Sequence, residues 1–241
     1  MNDQQNSARF LRAFNGIEGH LRRLLAEDQY ISFLSMLSRA SERNRVVSRF
    51  RQDLVEFAEL RNAIVHGKGG IARPIAEPHS DVTLQIEAIL RMLTDPPKVY
   101  PKFQRAVTIC AASDLIGGPA RAMLQGDFSQ LPTYSDGKFV GLLTAETIAR
   151  WLAAQLIGGV GLVEERAVSE VMEFSEDAEN YRFVNRETTV FEAMEVFNEF
   201  MARGKTLDAM LITQTGAKDQ RPLGIVTIYD FPSLLTTASG S

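Results

Sequence analysis

Cysteine is nearly absent from this chain of 241 residues, which has one, Cys110. A single thiol cannot form an internal disulfide, and the cysteine-based metal spacings require more than one cysteine. We therefore expect a protein of a reducing compartment, the cytoplasm, with no cysteine-based metal site.

Long hydrophobic runs are also missing. The N-terminus has no basic segment followed by an apolar one, as a secretion signal would require. The longest apolar stretch, from Trp151 to Val163, is interrupted by Gln155 and by glycines. We expect neither secretion nor a membrane span. The composition, 45% hydrophobic and 23% charged, is typical of a globular protein.

The net charge of −4 is distributed unevenly along the chain. Residues 1–98 carry 14 Lys/Arg against 12 Asp/Glu, a balance of +2, while residues 99–241 carry 12 against 18, a balance of −6. Arginines are clustered between Arg39 and Arg51. Such a cluster either contacts phosphates or forms a solvated helix face.

Apolar residues recur at helical spacing from Ser7 to Leu93, in four successive stripes. They predict four helices, with Asn44 as the N-cap of the third and Ser80 as the cap of the fourth. The short connections favour a small antiparallel bundle, and we assign residues 1–95 to this helical domain.

An internal repeat begins after the linker Asp95-Pro96-Pro97. The segment Gly141-Leu142-Leu143-Thr144 aligns with Gly224-Ile225-Val226-Thr227, and each is preceded by a strand and a turn and followed by a helix. Each copy also starts with a strand and an amphipathic helix. The pattern predicts two βαββα units in tandem.

The second copy ends in Gly-h-h-Thr-x-x-Asp at Asp230, where h is an apolar residue, and this order resembles a CBS motif. Two in tandem resemble a CBS pair, or Bateman module, over residues 100–236, with motifs at 100–160 and 180–236. The expected fold is α+β: an N-terminal all-α helical bundle followed by a tandem CBS pair of βαββα-type repeats. The structural alternative is that each Gly-h-h-Thr is a strand end leading into a helix, where Thr and Asp are favoured caps.

The resemblance implies an adenine-nucleotide site that takes ATP, ADP, AMP or a related adenosyl ligand. It assigns Thr227 to the phosphate and Asp230 to the ribose hydroxyls, and Val184, with Phe183, to the adenine. A carboxylate can accept hydrogen bonds from both hydroxyls of a cis-diol.

The first copy keeps the threonine, Thr144, but has Thr147 where the acid should be, so we expect unequal occupancy of the two sites. Arg203 or Lys205 either meets the phosphate charge or faces solvent.

The motif Arg61-Asn62-x-x-x-His66 stands near the end of the third predicted helix. In a small helical bundle it resembles the HEPN superfamily, many of whose members are metal-independent ribonucleases that work as dimers. His66 would move a proton, Arg61 would stabilise charge on the phosphate, and Asn62 would orient a neighbour. Because Arg61 and His66 lie apart on one helix, the resemblance implies a homodimer whose two copies bring them together.

Asn62 and His66 have a structural alternative as helix C-terminal groups that cap carbonyls. The sequence therefore indicates a nucleotide-sensing regulator joined to a helical domain that cuts RNA. In the alternative, a non-catalytic regulator, that domain only dimerises or binds a protein partner.

Overall fold

The computed structural model describes residues 6–27, 29–65, 77–157, 164–176 and 179–234. Within these ranges the chain forms two compact units, which divide after Pro97, except that Val190–Glu192 belong to the first. The first is helical, and the second combines two small sheets with helices, so the predicted α+β class is confirmed. Across these ranges, no helix has both the length and the apolar character needed to cross a bilayer.

The described part of the first unit contains five helices where the sequence predicts four. The third predicted helix is interrupted at Phe50, which leaves helical geometry with φ −97° and ψ 12°. The Asn44 cap is confirmed, since its Oδ1 accepts a hydrogen bond from the Val47 amide at 3.1 Å. The prediction that Ser80 caps the fourth helix is wrong, because His79 occupies the N-cap position. The helices are α1 (Asn6–Leu25), α2 (Phe33–Arg43), α3 (Arg45–Arg49), α4 (Arg51–Val65) and α5 (Ser80–Thr94).

Apolar side chains of α1 form the centre of the helical unit. Phe10 is fully buried, and its ring packs edge-to-face on Phe57 with centroids 5.7 Å apart. At the border of this core, Arg9 donates two hydrogen bonds to Glu87, at 2.9 and 2.6 Å. This bidentate pair joins α1 to α5 and holds the pKa of the Glu87 carboxyl below its usual value.

The second unit contains the two copies of the repeat, each with the order strand, helix, strand, strand. Short 3-10 helices follow α9 and β6, at Met172–Phe174 and Ile228–Asp230. The elements are α6 (Val99–Lys102), β1 (Cys110–Ala111), α7 (Gly117–Gly126), β2 (Gln130–Ser135), β3 (Lys138–Thr144), α8 (Ala145–Ile157), α9 (Val168–Val171), β4 (Tyr181–Asn185), α10 (Val190–Ala202), β5 (Ala209–Thr213) and β6 (Gly224–Val226).

The two sheets have the same topology. β1 pairs in parallel with β2, which pairs antiparallel with β3, and β4, β5 and β6 repeat this arrangement. The registers also correspond, since Leu131 faces Leu143 in the first sheet as Met210 faces Val226 in the second. The internal repeat of the sequence is therefore a repeat of structure.

An aromatic cluster connects the two copies. The Phe139 ring packs at a steep angle against the rings of Tyr134, Tyr181 and Phe183, with centroids 5.5, 4.7 and 4.9 Å away. These contacts join the first sheet to the β4 strand of the second. They add edge-to-face attraction to the hydrophobic burial of each ring.

Candidate functional site

Among the cavities of the second unit, two, of about 520 and 550 Å³, contain the threonine ends of the two copies. Each combines the threonine end of one copy with the first strand region of the other copy. We name them the Asp230 cavity, which contains Thr227 and Asp230, and the Thr147 cavity, which contains Thr144 and Thr147. Their volumes fall in the range of small-molecule sites, about 300–1,000 Å³.

The carboxylate of Asp230 is held in place by the backbone and side chain of Thr227. Its Oδ2 accepts hydrogen bonds from the Thr227 amide at 2.8 Å and from the Thr227 hydroxyl at 3.1 Å. The two residues form a capping box at the end of β6. The Thr and Asp of the motif thus act together, and both line the cavity.

The segment 104–108 leads into β1, and we call it the β1 lead-in. It crosses to the second copy, where Gln104 pairs with Gly224 and the Arg105 amide donates to the Leu223 carbonyl at 3.3 Å. A Cβ on Gly224 would lie 2.2 Å from the Phe103 carbonyl oxygen. The glycine of the second motif is therefore required for this close approach, which brings the β1 lead-in to the Asp230 cavity.

Arg105 of this lead-in forms an ion pair with Asp230. Its Nη2 lies 2.8 Å from Asp230 Oδ2 and donates to the Ile225 carbonyl oxygen at 2.5 Å. The side chain of Asp230 is 20% exposed and that of Arg105 is 45% exposed. Arg105 could not be assigned to this site from the sequence, because it lies 125 positions from Asp230. Its position just before the first strand was the only available signal.

The remaining walls offer apolar surface and unpaired backbone groups. Ala106, Val107 and Thr108 make no backbone-to-backbone hydrogen bond with any residue that the structure describes. Phe128 is half-buried at the cavity, and Tyr229 is 83% exposed there. A flat heterocycle could pack on these rings and bond its edge to the backbone.

In the Thr147 cavity, two hydroxyls replace the carboxylate. The Thr144 and Thr147 hydroxyl oxygens lie 2.9 Å apart, and the Thr147 amide donates to Thr144 Oγ1 at 3.1 Å. Both threonines are buried. Arg150 lines this cavity and pairs with Glu146 and Glu176.

The other residues predicted for nucleotide binding lie away from Asp230. Val184 is on β4 opposite Ile212 and lines neither cavity. Lys205 lines the Thr147 cavity, and Arg203 pairs with Glu199 at 4.0 Å. These residues lie away from Asp230 because the two copies are crossed. The first strand region of each copy meets the threonine end of the other.

In the first unit, Arg61 and Asn62 lie near the end of α4. Asn62 is exposed, and Arg61 Nη1 donates to Asn62 Oδ1 at 3.3 Å. His66 lies outside the described residues. Among those described, no three His, Cys, Asp or Glu side chains converge as a metal site would require.

No protein-family model and no curated protein matches this chain. Solved structures do match, among them a protein with CBS domains from Burkholderia ambifaria, with 17% identity, 57% of this chain and 88% of that chain covered, and a TM-score of 0.42.

Two further matches were solved with adenosyl compounds. The CBS domain pair of protein MJ0100, in complex with 5′-methylthioadenosine and S-adenosyl-L-methionine, is 18% identical over 56% of this chain and 93% of that chain, with a TM-score of 0.40. CBSX2, in complex with AMP, is 13% identical over the same shares, also with a TM-score of 0.40.

Proposed function

We propose that this chain is a CBS-pair regulator that binds an adenine nucleotide in the Asp230 cavity, with the pair in residues 100–236 and a helical domain in residues 1–95. The observation that carries the proposal is the Asp230 carboxylate, which Thr227 fixes at the cavity wall. All its hydrogen bonds from described residues reach Oδ2, so Oδ1 is left for a ligand hydroxyl.

The cavity offers a partner to each part of a nucleotide. The Asp230 carboxylate can accept hydrogen bonds from the ribose cis-diol, and the Arg105 guanidinium can pair with a phosphate. The backbone of the β1 lead-in has free donors and acceptors for the edge of the base, while Phe128 and Tyr229 offer faces for stacking. The Thr147 cavity lacks the carboxylate, so we propose that the Asp230 cavity is the main site.

Calorimetric titration with AMP, ADP and ATP, together with melting curves, tests this proposal. A ligand at a hundred times its Kd adds about 2.7 kcal/mol to the free energy of unfolding. Asp230→Ala should weaken binding by at least about tenfold, because charged hydrogen bonds to the ribose are lost. Thr147→Ala is the matched control in the other cavity and should bind normally. Undiminished binding by Asp230→Ala would overturn the site, and no binding by the unaltered chain would overturn the function.

We also propose that residues 1–95 form a HEPN-like domain that cleaves RNA without a metal ion. In support, Arg61 and Asn62 lie side by side near the end of α4, and Asn62 faces solvent. Without a metal-bound water, the available nucleophile is the 2′-hydroxyl of the RNA. It would lose its proton and bond to phosphorus as the P–O5′ bond breaks, so the products would be a 2′,3′-cyclic phosphate and a protonated 5′-hydroxyl. Arg61 would stabilise the phosphate charge, Asn62 would orient a neighbour, and His66 would transfer the proton.

Incubating the purified chain with RNA and a chelator tests the second proposal. Arg61→Ala and His66→Ala should each abolish cleavage and change the stability by less than about 1 kcal/mol. Asn62→Ala should weaken cleavage less. Arg91→Ala removes an exposed arginine of α5 that lies outside the arginine cluster, and it should retain full activity. Intact RNA with and without nucleotide would favour the alternative, a non-catalytic regulator whose helical domain dimerises or binds a protein.

A further inference from the structure

Arg105 and Asp230 form an ion pair with each other in the structure. In the proposed site, however, each would bind a different part of a nucleotide. Asp230 Oδ2 takes donors from the Thr227 amide, the Thr227 hydroxyl and Arg105 Nη2, all within 3.1 Å. Arg105 Nη2 is also bonded to the Ile225 carbonyl oxygen. A ribose cis-diol that used both carboxylate oxygens of Asp230 would find Oδ1 free but would compete with Arg105 at Oδ2.

Arg105 also controls the charge of the cavity. Among the described residues that line it, Arg105 is the one cation, and Asp127 and Asp230 are the acids. Without the guanidinium, two carboxylates would face an incoming phosphate and repel it. The Arg105 side chain is nearly half exposed, so it can turn towards a ligand without opening the hydrophobic core.

From this geometry we propose that Arg105 determines which ligands the site accepts by selecting nucleosides that carry a phosphate. The inference rests on the nucleotide site proposed above. When a nucleotide binds, Arg105 leaves Asp230 for the phosphate, and Asp230 becomes free for the ribose hydroxyls. One internal ion pair is exchanged for two charged contacts with the ligand.

Ligands that carry only one of the two groups gain less from this exchange. Adenosine must separate Arg105 from Asp230 and leaves the guanidinium without its carboxylate. Inorganic phosphate draws Arg105 away and leaves Asp230 without a cation. AMP satisfies both partners, so it should bind more tightly than the separate affinities of adenosine and phosphate would predict.

Calorimetric titration of AMP, adenosine and inorganic phosphate into the full chain tests the inference. The unaltered chain should bind AMP about 10- to 150-fold more tightly than adenosine, the range expected for loss of a charged hydrogen bond. In Arg105→Gln, AMP binding should weaken by that factor, while adenosine binding should stay unchanged or strengthen because Asp230 is released. The preference for AMP should therefore disappear.

Two further variants separate this effect from damage to the fold. Arg105→Lys keeps the positive charge and should retain part of the preference for AMP. Arg150→Gln removes an arginine of similar exposure from the Thr147 cavity and should leave the preference unchanged.

An AMP-to-adenosine ratio that stays the same in Arg105→Gln would overturn the inference and leave the nucleotide site standing. Failure of both AMP and adenosine to bind the unaltered chain would instead overturn the site, and the inference with it.

Discussion

The hydroxyl oxygens of Thr144 and Thr147 lie 2.9 Å apart, at the position where the second copy has Thr227 bonded to Asp230. The two copies have corresponding registers up to this point. At this position of the cavity wall, a threonine in the first copy therefore replaces the acid of the second. It removes the negative charge that would anchor a ribose.

Restoring the acid should create a second nucleotide site. In Thr147→Asp, the new carboxylate can accept hydrogen bonds from the Thr144 amide and hydroxyl, as Asp230 accepts them from Thr227. We expect calorimetry to show a rise from one bound nucleotide per chain towards two. Thr147→Asn, which has the same shape without the charge, is the control and should stay at one. A stoichiometry of one in Thr147→Asp would contradict the assigned role of the carboxylate.

The two motif glycines should respond differently to alanine. A Cβ on Gly224 would lie 2.2 Å from the backbone oxygen of Phe103, whereas one on Gly141 would lie 2.3 Å from the end of the Met172 side chain. A methionine end can rotate away, but the Phe103 carbonyl cannot move without the β1 lead-in that carries Arg105. We expect Gly224→Ala to destabilise the protein by about 1–3 kcal/mol and to weaken AMP binding.

Gly141→Ala is the matched control and should have a smaller effect on both properties. Melting curves and titration with AMP measure them in parallel. Equal effects of the two alanines on AMP affinity would show that the approach at Gly224 does not position the site.

His20 should make the stability of the helical unit depend on pH. Its Nε2 is buried and has no hydrogen-bond partner among the described residues, and burial, followed by the nearby charge of Arg23, lowers its pKa. The unfolded chain, with a pKa of about 6.5, then binds a proton more readily than the folded one. Stability should therefore rise with pH, and it should be lost as pH falls below about 6.5.

Urea unfolding between pH 5 and 8 measures this effect, which amounts to about 1.4 kcal/mol for each unit of difference in pKa. His20→Gln should flatten the dependence in this range. The control, His79→Gln, alters an exposed histidine at the start of α5 and should leave it unchanged. An unaltered pH profile in His20→Gln would assign the dependence to other groups.

The chain should be a homodimer in solution. The ribonuclease proposal requires it, because the helical pattern of the sequence places Arg61 and His66 apart, and two copies across a two-fold axis could bring them together. Light scattering should give about twice the chain mass of 26.8 kDa. A monomer at micromolar concentration would remove the basis of the composite active site and leave the nucleotide site untouched.

Local features of the fold could be predicted from sequence because local interactions determine them. Helical spacing located the helices of the first unit, and the Asn44 cap depends on an amide only three residues away. The break at Phe50 was missed, since a single residue that leaves helical geometry hardly disturbs the apolar pattern. The repeat predicted the order of strand, helix, strand and strand that the two copies share.

The sequence by itself determined the α+β class, the repeat and the Thr227–Asp230 unit, because each depends on residues close together in the chain. Only the tertiary structure decided which segment faces that unit. It placed the β1 lead-in of the first copy against Gly224 and so brought Arg105, rather than Lys205, to Asp230. Contacts across such separations depend on how the strands and their connections pack, and no local pattern in the sequence records that arrangement.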